Sequence, residues 1–184
     1  MADVAPAPAS PPFERKEPAA INFRNGLAVK VAITAAALAF LMLTVTAFLG
    51  ASFLQLLLPM VISAGSGFLA VFLYRRRSGE QVSVRDGARI GWITGVFAFV
   101  MTIVMFTLGV AAAVSQGGFV EVYRQSADRV GIPQDTVEQV TRLLENPVTV
   151  AVSLLFLLAM QFMMQTLMSS AGGAIGAKFL ARER

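Results

Sequence analysis

Cysteine and histidine are absent from all 184 residues. Without thiols the chain forms no disulfide, binds no iron-sulfur cluster and runs no thiolate chemistry. Without imidazoles it has no histidine ligand for haem, no zinc site of the usual kind and no Ser-His or Cys-His nucleophile pair. Charge is scarce as well: 14% of residues are Asp, Glu, Lys or Arg, against about a quarter in an ordinary soluble domain. No HExxH, GxGxxG or P-loop occurs. Every Asp and Glu lies outside the long apolar runs, so hydrolysis inside a membrane has no candidate catalyst. These absences point to a protein that is not an enzyme and has no cofactor.

Apolar residues make up 56% of the chain, and they are gathered into long runs. From Val31 to Tyr74 there are 44 consecutive residues without a formal charge. As one helix this run would be about 66 Å long, over twice a bilayer core of about 30 Å. It therefore folds back on itself, and Gly50-Ala51-Ser52 divides it into two segments of spanning length. Helices are expected near 27–48 and 53–74, with Pro59 inside the second. A third run extends from Ile90 to Val114 and a fourth from Val148 to Ala177, predicting helices near 88–114 and 148–178. The first segment follows a long polar lead and runs into further apolar sequence, so it is read as an uncleaved anchor rather than a signal peptide.

Between the third and fourth runs, Phe119, Val122, Tyr123, Ala127 and Val130 recur at helical spacing. Val137, Val140, Leu143 and Leu144 do so again beyond Gly131-Ile132-Pro133. Two short amphipathic helices are expected in 118–146, lying on the membrane interface or over the bundle mouth. Residues 1–25 are of a different kind, with Pro6, Pro8, Pro11, Pro12 and Pro18 among alanines and a mixed-charge run at Glu14–Glu17. Such a segment lacks the apolar content to fold alone and reads as a disordered tail. The predicted fold class is an all-α integral membrane protein: a four-transmembrane-helix bundle over 26–184 with two short amphipathic helices in its outer loop.

Orientation follows from the basic residues. Placing the tail, the 75–89 loop and the C-terminus on one side gathers twelve of the fifteen there, leaving Arg124, Arg129 and Arg142 opposite. Cytoplasmic loops carry the Lys/Arg excess, so both termini are expected in the cytoplasm. The basic residues sit at the ends of apolar runs rather than on a folded polar face, which speaks against nucleic acid as a partner.

Three side-chain patterns are candidates for function. Gly87, Gly91 and Gly95 repeat every four residues, as do Gly172 and Gly176, and such faces let helix backbones approach closely; Ser63 and Gly67 offer a third small face. Gln161, Gln165 and Ser169 lie at i, i+4 and i+8 and form a polar stripe, which should point inward or toward a second copy because uncompensated amides in hydrocarbon are costly. Gln55 is a candidate partner for it. Arg75, Arg76 and Arg77 form a stop signal suited to anionic lipid headgroups. A further pattern, Met160, Met164 and Met168 ahead of the glycine pair, is similar to that of three-helix copper transporters, although the metal-loading outer segment of those proteins has no counterpart here.

The basic loop RRRSGEQVSVRDGARIGW, the outer region FVEVYRQSADRVGIPQDTVEQVTRLLENP and the last span ending SSAGGAIGAK together resemble a family of uncharacterised small bacterial four-helix membrane proteins. The resemblance covers about residues 27–180 and implies topology in the bacterial inner membrane, but no substrate, cofactor or active residue. Some of those proteins carry an N-terminal zinc ribbon where this chain has its Pro/Ala tail. The expected function is that of an accessory or scaffold subunit working through contacts with lipids, other membrane subunits or itself. The alternative is a small oligomeric channel or transporter using the Gln161 stripe, with copper transport as a variant.

Overall fold

The computed structural model describes residues 20–47 and 54–181. The expected hairpin turn at Gly50, the Gln55 side chain and the first nineteen residues of the tail lie outside the described residues. Within them the chain forms six helices and no strand: α1 (Gly26–Ala47), α2 (Leu54–Ser78), α3 (Val84–Ser115), α4 (Phe119–Val130), α5 (Gln134–Leu144) and α6 (Pro147–Ala181). Helices α1, α2, α3 and α6 are long and apolar enough to cross a membrane. This is the architecture of a helical membrane protein.

Local chemistry sets the helix ends. Asn25 Oδ1 accepts from the Leu27 and Ala28 N–H groups at 3.2 Å each, capping α1. Asn146 Oδ1 does the same for α6 through Val148 and Thr149, and Pro147 then occupies the first helical position, where its missing N–H costs nothing. Gly79, Gly117, Gly118 and Gly131 have φ of 70° to 98° and close helices or turns that side chains would strain.

The basic loop is shorter than its charge suggests. Helix α2 continues through Arg75, Arg76 and Arg77 and α3 begins at Val84, so only Gly79–Ser83 of the expected 75–89 loop is non-helical. Arginine is a good helix former, and its charge is favourable at a helix C-terminus, so the stop signal for the membrane is not a stop for the helix. Ser83 caps α3: its Oγ accepts from Asp86 N–H at 3.1 Å and donates to the Asp86 carboxylate at 2.6 Å. Ser83→Ala is expected to cost about 1 kcal/mol, read as a lowered thermal unfolding midpoint in detergent.

The last residues assigned to the tail are also placed. Ile21 is buried, and Phe23 packs edge-on against Trp92 and Phe97 with ring centroids 5.5 and 6.3 Å apart. Composition alone, diluted by the prolines before them, hides these two apolar anchors.

In cross-section α2 and α3 touch across the short diagonal, while α1 and α6 occupy opposite corners, each packed on both. The α3–α6 pairing is the most extensive and α2–α6 the next, and α1 and α6 do not meet. Burial is concentrated at one end. It takes in Ala28, Val31, Ala32, Ala35, Ala36 and Ala39 of α1, Ala70, Val71 and Tyr74 of α2, the inward face of α3 between Gly87 and Ala98, and that of α6 between Gln165 and Leu180. The same end carries Arg75–Arg77, Arg85, Arg89 and Lys178. Toward the other end, Leu41, Val61, Val104, Leu108, Val152 and Phe156 are exposed.

The helices also differ in length. At about 1.5 Å per residue α1 is about 33 Å long, whereas α3 and α6 reach about 48 and 52 Å and exceed a 30 Å core unless strongly tilted. Helices α4 and α5 bury Ala127, Val137 and Thr141 and link the far ends of this longer pair, α4 touching α3 and α5 touching α6.

Candidate functional site

The buried end is organised by one face of α6 wedged between α2 and α3. A Cβ placed on Gly172 would collide with the Ala64 carbonyl of α2, and one on Gly176 would lie 3.2 Å from Phe68 Cα. Toward α3, a Cβ on Gly87 would lie 2.6 Å from Ala177 Cβ, one on Gly91 2.8 Å from the Ser169 carbonyl carbon, and one on Gly95 2.7 Å from Thr166 Cα. Two further glycines complete the contact. Gly173 meets the backbone of Gly87 and Gly91, and Gly67 meets that of Ser169 and Gly173. These glycines let main chain meet main chain on both sides of α6. Gly173 escapes a reading by four-residue spacing because it stands beside Gly172, which already belongs to such a pair; α6 needs both because it has two neighbours.

Polar groups line the same seam. Ser66 of α2 and Ser169 of α6 share a hydrogen bond at 3.3 Å, Ser170 Oγ donates to the Ala88 carbonyl of α3 at 3.0 Å, and Thr94 is fully buried with its hydroxyl bonded to Ile90 O. Ser66, Thr94 and Ser170 carry no spacing signal: Ser66 bonds between α2 and α6, Ser170 between α6 and α3, and Thr94 within α3. Gln165, 3% exposed, has no hydrogen-bond partner for its side-chain oxygen. A buried amide oxygen without a partner costs about 1–3 kcal/mol.

The three members of the polar stripe follow one another along α6 but differ in burial. Ser169 and Gln165 lie in the seam, while Gln161 is exposed on the surface of α6 among Leu157, Met160 and Met164, which are exposed as well. The three consecutive arginines differ too: Arg76 and Arg77 are exposed, whereas Arg75 donates from Nη1 to the Leu180 carbonyl and so caps the end of α6.

Cavities of about 390, 410 and 560 Å³ lie, respectively, beside Arg75 and Val82, beside Phe23 and Trp92, and between α4 and α5. None of the three is lined by Gln161, Gln165 or Ser169. Among the described residues no group of three or more His, Cys, Asp or Glu side chains is arranged to hold a metal ion.

Comparison with known proteins finds no matching family model, no matching curated protein and no matching solved structure. The geometry therefore carries the functional reading alone.

Proposed function

We propose that this chain is a non-enzymatic multi-pass protein of the bacterial cytoplasmic membrane, with both termini cytoplasmic, that serves as an accessory or scaffold subunit of a membrane complex. The observation that carries this reading is the contrast between the two ends of the long helices. One end is locked by glycine contacts, while the other leaves much of α3 and α6 unpacked over more length than a bilayer core requires. Such a body is rigid at one end and offers long helix faces at the other, which suits recruiting further helices. The orientation rests on the Lys/Arg excess at the glycine-packed end. After gentle solubilisation from its native membrane, particle mass is expected to exceed that of the protomer, with defined copurifying subunits or a second copy. A bare monomer that brings nothing with it would sink the scaffold reading.

A second reading, a small oligomeric channel or transporter, is favoured by the exposed Gln161 and the unpartnered Gln165 oxygen, two amides in an apolar run. In reconstituted vesicles, solute flux that falls in a Gln161→Leu, Gln165→Leu double variant supports it. Flux equal to that of empty vesicles removes it. Its copper variant requires metal in the purified protein, which elemental analysis reads directly.

A further inference from the structure

We propose that the cavity of about 410 Å³ between the segment before α1 and the start of α3 is a binding site for one anionic phospholipid. Its order of chemistry along α3 is that of a phospholipid. Arg85 and Arg89 lie four residues apart on one face, Trp92 and Ile93 follow one turn on, and Phe97 one turn beyond. The opposite wall comes from Ile21 and Phe23, which places a second apolar surface across from the indole.

Arg89 stands on the rim of the cavity and is exposed. Among the described residues its one ionic contact is to Asp86, at 3.5 Å. A guanidinium carries five N–H donors, so this long contact leaves it free to bind a phosphate. Arg85 lies beside it, so the immediate charge of Arg85, Asp86 and Arg89 remains positive. The walls below the rim are apolar and suit an acyl chain, which a soluble anion does not have. Trp92 is 45% exposed although it packs on Phe23, as an aromatic side chain at a headgroup boundary would be.

Trp92 is the only tryptophan in the chain, so the site reports on itself. The full-length protein is reconstituted in phosphatidylcholine bilayers, and phosphatidylglycerol or phosphatidylcholine with brominated acyl chains is titrated in while Trp92 emission is followed. Half-maximal quenching is expected at a roughly fivefold lower mole fraction of the anionic lipid, the factor that about 1 kcal/mol for one arginine at an anionic surface represents. Arg89→Gln should bring the two curves together, Arg89→Lys should keep most of the preference, and Arg77→Gln, remote from the cavity, should leave it intact. Excess glycerol phosphate should not relieve the quenching.

Coincident curves for the unaltered protein, or an equal loss of preference with Arg77→Gln, overturn the proposal in favour of unselective lipid contact. Relief by glycerol phosphate makes the site one for a soluble anion and likewise overturns it. Absence of quenching by either lipid means that protein, not lipid, covers Trp92.

Discussion

Replacing Gly67 by alanine is expected to cost the folded bundle about 2 kcal/mol or more, whereas the same change at Gly65 is expected to alter its stability by no more than about 1 kcal/mol, in either direction. The two glycines are two residues apart in α2, so helix propensity, membrane depth and the unfolded chain are nearly the same for both. They differ in what a methyl group would meet. At Gly65 nothing lies within 4 Å, but at Gly67 the new carbon would overlap the Ser169 carbonyl and sit 2.9 Å from the Gly173 nitrogen. These atoms are backbone of a neighbouring helix and cannot rotate away. Relief requires α2 to withdraw from α6, which loosens the Ser66–Ser169 hydrogen bond and the contacts of Gly172 and Gly176 with it. Unfolding in mixed micelles, followed by the emission of Trp92, reads both variants on one scale. Equal stabilities would mean that α2 and α6 are not held at this distance.

The same logic makes Gly91 and Gly173 a coupled pair. A Cβ on Gly173 would lie 3.1 Å from Gly91 Cα, and Gly91 itself abuts Ser169 and Ser170. The seam is continuous, so damage at one crossing is felt at the next.

The four long helices were legible because a charge-free run of known length has few ways to satisfy its backbone in a bilayer. Their ends were less so. The start of α3 at Val84 depended on a reciprocal bond between Ser83 and Asp86, whereas the arginines around it read as a loop. Placement of Phe23 against Trp92 is a contact between residues almost seventy positions apart, which no periodicity encodes. Within the seam, the glycine spacing showed which faces are small but not which helix each face meets. The alanines of α1 at positions 28, 32, 35, 36 and 39 form a small-residue seam of their own. Spacing does not single them out, because alanine is common in apolar helices. The polar stripe is divided between two surroundings. Spacing put Gln161, Gln165 and Ser169 on one face, but α2 and α3 cover α6 only toward its end, so one stripe is buried at two positions and bare at the third.

Gln165→Met is expected to raise the stability of the bundle, by about 1–3 kcal/mol, while weakening whatever the protein does. Methionine matches glutamine closely in length and fills the same space without an amide. In the folded chain the Gln165 oxygen has no partner and is shut away from water, so removing it removes a penalty. Its surroundings contrast with its neighbour's. Ser169, one turn away on the same helix, is paired across the seam with Ser66, so the local fold can satisfy a polar side chain where stability requires it. A glutamine held unpaired beside such a pair fits a group kept for an interaction that the single chain does not complete, in a subunit contact or in a permeation path. The two outcomes separate by measurement. Higher resistance to unfolding together with loss of the copurifying subunit, or of flux, assigns Gln165 to function. Lower stability would show that the amide is satisfied within the folded protein, through a bridging water or a turned side chain, and that the polar seam is a packing device from end to end.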